Sequence, residues 1–168
     1  MNTSEWIFDH VQKLLEGPGY TIISSDQARP WGGFFVIDES QAAKFAKHFF
    51  AGKELEKLQL AGKLSPKILM VAPGKRLSWQ YHHRRAELWC CIEGPVAVAT
   101  SDSDTEKNTR ILQPGDMVSL AQGERHRLIG MDNWGVVAEI WQHTDPSLPS
   151  DEEDIVRLQD DFGRGSAL

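Results

Sequence analysis

Ser78-Trp79-Gln80-Tyr81-His82-His83-Arg84-Arg85-Ala86-Glu87-Leu88-Trp89 is the stretch on which the fold turns. In an extended chain neighbouring side chains point to opposite faces. Read back to Arg76, one face carries Arg76, Ser78, Gln80 and His82, and the other carries Leu77, Trp79 and Tyr81. A barrel with a filled apolar interior would turn the second row inward, whereas a barrel holding a ligand cavity would line its mouth with the polar row. In the latter case Trp79 and Tyr81 need cover from a second sheet, the N-terminal helices or another subunit. Glu87 opens the next apolar run across a short Arg84-Arg85 connection, so a hairpin there brings its carboxylate toward Gln80 and His82.

Outward from this stretch the texture is of short β runs divided by Pro, Gly, Asp and Asn. The expected strands are 67–72, 76–82, 87–93, 96–100, 117–120, 126–129 and 136–142, a spacing that belongs to a sandwich or barrel. Helices are expected only toward the front. Trp6, Ile7, Val11, Leu14 and Leu15 recur at helical spacing and Gly17-Pro18-Gly19 stops them. Residues 20–25 and 34–37 read as strands around the turn Pro30-Trp31-Gly32-Gly33, and 41–60 as helical material interrupted near Gly52. The acidic tail from Asp145 is expected to pack back on the body through Ile155, Val156, Leu158 and Phe162.

The chain's 168 residues fit one domain with a substantial core. A net charge of −6 argues against nucleic acid and anionic membrane as partners. No run approaches the roughly 18 apolar residues of a membrane span, and the acidic N-terminus lacks the basic head of a secretory signal; a cytoplasmic location is expected. The adjacent Cys90 and Cys91 point to opposite faces of a strand and read as two unrelated thiols.

Past Pro114-Gly115 and Gly123, which flank another strand pair, comes His126. Together Gln80, His82, Glu87 and His126 offer an amide oxygen, two imidazoles and one carboxylate, a set suited to zinc, iron, manganese, cobalt or nickel. One carboxylate leaves a divalent ion with a net charge of about +1, which favours an anionic substrate oxygen. His83 alternates to the opposite face and reads as an outer residue.

Gly74, Gln80-x-His82, Glu87 and Gly94 resemble the first cupin motif, and Gly115, Gly123 and His126 the second. More narrowly, residues 78–89 resemble the signature of type II mannose-6-phosphate isomerases. Arg29-Pro30-Trp31-Gly32 and the closing 153–164 are similar to the segments that open and close that family's cupin domain. The resemblance implies a mainly β cupin, a double-stranded β-helix or jelly-roll barrel over 29–164. Residues 1–28 would form an N-terminal helical and strand extension packed on it, and 165–168 a tail. It further implies one divalent metal ion, zinc first, on Gln80, His82, Glu87 and His126. This sequence departs from the family pattern at Arg84 and Leu88, where His is usual, at Ala121 for proline and at Gly130 for asparagine. The nucleotidyltransferase domain often fused ahead of this cupin is not expected.

The implied activity is conversion of mannose 6-phosphate to fructose 6-phosphate through a cis-enediolate. It needs a base, oxyanion stabilisation and a substrate grip. Glu139, on a strand face with Val137 and Trp141, is the expected base. Lys67, Arg76, Arg85 and Arg157 are the phosphate candidates, with Arg76 favoured for its place on the ligand face, and Trp89 is an expected cavity wall. The alternatives are an isomerase for a heptose phosphate or a free pentose or hexose, and a non-catalytic sugar-binding cupin. A homodimer through the Trp79 and Tyr81 face is also expected.

Overall fold

The computed structural model describes residues 3–59 and 62–165. The amphipathic start forms α1 (Thr3–Glu16), which buries Ile7, Phe8, Val11 and Leu15. Trp6, expected on that face, is instead 53% exposed and stacks on His10. The helix closes where Gly19, at φ +90°, lets the Tyr20 N–H reach the Leu15 carbonyl. β1 (Ile22–Arg29) and β2 (Gly32–Ile37) follow as an antiparallel pair. The helical stretch expected over 41–60 divides into α2 (Ala42–Phe49) and α3 (Leu55–Leu58), with the left-handed Gly52 between them. Its expected last residue, 60, lies outside the described residues, as does the tail beyond 165.

The rest is β: β3 (Lys67–Val71), β4 (Trp79–Tyr81), β5 (Arg85–Glu93), β6 (Val96–Ser101), β7 (Asn108–Leu112), β8 (Met117–Leu120), β9 (Arg125–Gly130), β10 (Gly135–His143) and β11 (Val156–Gln159). One sheet runs β1-β2-β3-β10-β5-β8 and the other β11-β4-β9-β6-β7. This is the expected mainly β cupin barrel with a helix at its N-terminal end. β1 joins the edge of the larger sheet through β2, so residues 22–29 belong to that sheet. No helix among the described residues is long and apolar enough to cross a membrane.

Two expectations are corrected. The strand at 76–82 shrinks to β4, with an isolated bridge from Arg76 to Ile129, and the kink between them turns Leu77 and Ser78 both inward. β7 and β11 carry no alternation in the sequence, because β7 is exposed at every position but Leu112 and β11 has no buried row. Period-two alternation needs a dry face to show itself.

The larger sheet separates two cores. Ile68, Met70, Leu88, Cys90, Val136, Ala138 and Ile140 face α1 and α2, packing on Phe8, Val11, Phe45 and Phe49. Alternate residues of the same strands, Leu69, Val71, Trp89, Cys91 and Val137, face the barrel interior with Val96, Val98, Leu112 and Leu128. Burial of this kind stabilises by roughly 25 cal/mol per Å² of apolar surface. Toward the other end of the interior the inward row turns polar, with Lys67, Arg85, Glu87 and Glu139. Trp79 is buried and its indole donates to the Asp104 carbonyl, so of the expected aromatic pair only Tyr81 reaches the surface, half-buried with Arg125 over its ring.

Candidate metal centre and its cavity

β4 with the turn after it, β5 and β9 converge on His82, Glu87 and His126, whose candidate ligand atoms all lie within 4.8 Å of one another; β4 and β5 belong to opposite sheets, so the hairpin expected between them does not form. All three are buried, and Gln80 pairs across β4–β9 with His126. The Gln80 amide oxygen accepts from the Ser78 hydroxyl at 3.1 Å, and both line the same cavity as His82 and Glu87.

Each imidazole is oriented by a backbone carbonyl. His82 Nδ1 is 2.7 Å from the Asp154 carbonyl and His126 Nδ1 is 3.0 Å from that of Glu124. A carbonyl only accepts, so Nδ1 carries the hydrogen and Nε2 of the neutral ring offers its lone pair inward. His82 Nε2 is 3.1 Å from Glu87 Oε1, and His126 Nε2 is 3.6 Å from Glu87 Oε2. His126 Nε2 is buried with no hydrogen-bond partner. Burial lowers the pKa of His126 to about 4, which keeps it a neutral donor. Burial opposes ionisation of Glu87 as well, but His82 and Arg85 outweigh it and hold the carboxyl well below its usual range. A carboxylate beside two buried imidazoles is the donor chemistry of a divalent metal site, and these residues fit one.

Around this centre, Arg85 donates from Nε to Glu87 Oε1 at 2.8 Å and stands over Trp141, its Cζ 3.6 Å from the ring centroid. Glu139 is held by two indoles, the N–H groups of Trp89 and Trp141 each 2.8 Å away, and Trp89 is also 3.1 Å from Glu87 Oε2. Burial, and next the charge of Glu87, push the Glu139 carboxyl up to about 8. Trp89 itself is fully buried, so it ties the two carboxylates together from behind the wall.

Of the expected phosphate ligands, Arg85 and Arg157 line the cavity. The buried Lys67 ammonium pairs with Glu152, a cavity residue, and sits 4.6 Å over the rings of Phe34 and Trp141. Arg76 is not brought to the site. It lies on the surface, bonded through Nε and Nη2 to the Asp161 carboxylate at 2.7 and 2.9 Å. The alternation that favoured it assumed an unbroken strand, and the kink removes it. Two cations of the cavity were missed, Arg29 and Arg164, paired with Asp26 and Asp160 respectively. Both stand in the quoted opening and closing segments, where they were read only as domain boundaries. None of the departures from the family pattern lines the cavity: Leu88 faces the helix-side core and Arg84 lies near Asp151 and Asp154.

The family described as Mannose-6-phosphate isomerase C-terminal matches residues 51–160. Alginate biosynthesis protein AlgA of Pseudomonas aeruginosa is 28% identical over 157 residues, 92% of this chain and 27% of that protein. Mannose-1-phosphate guanylyltransferase of Salmonella montevideo is 28% identical over 155 residues, 92% of this chain and 27% of that protein. The chain thus spans 27% of the length of these curated relatives. Among solved structures, the capsular polysaccharide assembling protein CapF of Staphylococcus aureus aligns with a TM-score of 0.56 at 14% identity, covering 84% of this chain and 32% of CapF. That likeness bears on the fold alone.

Proposed function

This chain belongs to the Mannose-6-phosphate isomerase C-terminal family, and from that premise we propose that it is a metal-dependent aldose–ketose isomerase acting on a sugar phosphate, mannose 6-phosphate first. The observation that carries the reading is one cavity lined by His82, Glu87, Glu139 and the guanidinium groups of Arg29, Arg157 and Arg164. Gln80, His82, Glu87 and His126 would hold one divalent ion, with zinc first. When bound, it supplies Lewis-acid stabilisation of the oxyanion that develops during enolisation.

Glu139 takes the proton from C2 of the open-chain sugar and returns it to C1, while the hydroxyl proton passes from O2 to O1. No oxidant or reductant is consumed. Burial raises the basicity of the Glu139 carboxylate, which suits proton abstraction once the group is ionised. Trp89 and Trp141 hold its two oxygens, leaving it little freedom to turn. Arg29, Arg157 and Arg164 suit a phosphate, whose oxygens accept paired donors from guanidinium groups.

Metal-supplemented conversion of mannose 6-phosphate to fructose 6-phosphate tests this in wild type, His82→Ala and Glu139→Gln, with unphosphorylated mannose as control. Conversion is expected in wild type only with the phosphate, with Glu139→Gln slowed by about 10²–10⁴-fold and His82→Ala inactive. Wild-type protein that binds metal and the sugar phosphate without exchanging the C2 proton into heavy water would instead be a binding cupin.

A further inference from the structure

The stretch from Ser150 to Asp154 is bound to every residue of the turn that carries the metal-binding histidine. The Asp154 carbonyl accepts from His82 Nδ1 at 2.7 Å. Its carboxylate accepts the backbone N–H groups of His83 at 2.9 Å and Arg84 at 3.0 Å, and the Ser150 hydroxyl at 2.6 Å. Arg85 Nη1 donates to Ser150 Oγ at 2.8 Å and to the Asp151 carbonyl at 3.0 Å. Asp154 has no exposed surface. A carboxylate removed from water and held by two amides and a hydroxyl, with the Arg84 guanidinium 3.9 Å away, costs desolvation that only a fixed geometry repays. What that geometry fixes is the carbonyl of the same residue, and with it the tautomer and direction of His82.

We propose that Asp154 is a positioning residue for the metal-binding His82, so that the segment before β11 is part of the metal centre although it contributes no ligand. The inference rests on the metal reading of His82, Glu87 and His126. The carboxylate clamps the segment to the His83–Arg84 turn, and the clamped carbonyl keeps the hydrogen on His82 Nδ1 and the Nε2 lone pair inward, where Arg85 Nη2 stands 3.3 Å away. Groups that orient a metal-bound imidazole in this way typically change metal affinity by about 10–100-fold when removed.

The test titrates the metal-free full chain with Co²⁺, comparing wild type, His82→Ala, Asp154→Ala and Asp154→Asn. Thermal melts establish that each variant is folded, and long-range proton–nitrogen spectra of ¹⁵N-histidine protein read the His82 tautomer. The expected result is tight binding by wild type, with His82 protonated on Nδ1. Asp154→Ala should bind about 10–100-fold more weakly with its tautomers mixed, and Asp154→Asn, which keeps one acceptor oxygen, should fall between. Folded Asp154 variants with wild-type affinity and an unchanged tautomer would overturn the proposal. If Asp154→Ala does not fold, Ser150→Ala, which removes one of the three bonds to the carboxylate, decides: a several-fold loss of affinity supports the proposal, and none overturns it. Failure of wild type itself to bind Co²⁺ would bring down the metal reading, and the tautomer comparison would still judge the positioning of His82 separately.

Discussion

Glu139 carries a carboxyl that burial and the charge of Glu87 raise from 4.5 to about 8. Between these values the folded protein keeps a proton that the unfolded chain has lost. The contribution of this group to stability is therefore complete below 4.5 and is lost as the pH rises through about 8. Urea midpoints of the metal-free protein should accordingly fall with rising pH more steeply in wild type than in Glu139→Gln, and parallel curves would contradict the assignment. At this scale the candidate pair His82 and Glu87 was legible in the sequence because the two stand close together in the chain. Gln80, His82 and Glu87 stand within one short stretch of chain, although β4 and β5 go to opposite sheets and the closing of the barrel brings His126 to them. The environment of Glu139 was not legible, since its indole partner Trp89 comes from β5, paired to β10 across a long separation in the chain.

Among the elements, β9 explains a departure from the family pattern. At Gly130 a Cβ would stand 2.1 Å from the Ala72 carbonyl oxygen and 3.1 Å from that of Lys75, while the Gly130 N–H already donates to Lys75 at 2.7 Å. The end of β9 and the 72–75 turn approach too closely for any side chain. Gly130→Asn, the family's usual residue, should cost about 1–3 kcal/mol through the forced backbone shift, measured by urea unfolding; a neutral effect would mean the turn moves freely. The helices and most strands could be read from their buried rows. β4 could not be read correctly, because a strand kinked at Leu77 breaks the alternation on which its reading depended, and Arg76 was misplaced by that same error. β7 and β11 lacked any apolar row to read.

Over the whole molecule the larger sheet keeps two compartments apart, one packed by α1 and α2 and one enclosing the cavity. Phe45, with no exposed surface in the outer compartment, should when replaced by Ala cost about 3–5 kcal/mol of stability. Co²⁺ affinity measured well below the melting temperature should stay within a few-fold of wild type. A parallel loss of affinity would mean that the compartments are coupled through β3, β5 and β10. The sequence by itself determined the barrel class and pointed to His82, Glu87 and His126 as candidate ligands, because residue types and their spacing can be read along the chain. Only the tertiary structure decided which cations reach the cavity, which residue clamps His82 and what raises the Glu139 carboxyl. Arg29 and Arg164 come from opposite ends of the chain, Asp154 acts across a turn far from it in sequence, and burial is a property of the assembled fold rather than of any segment.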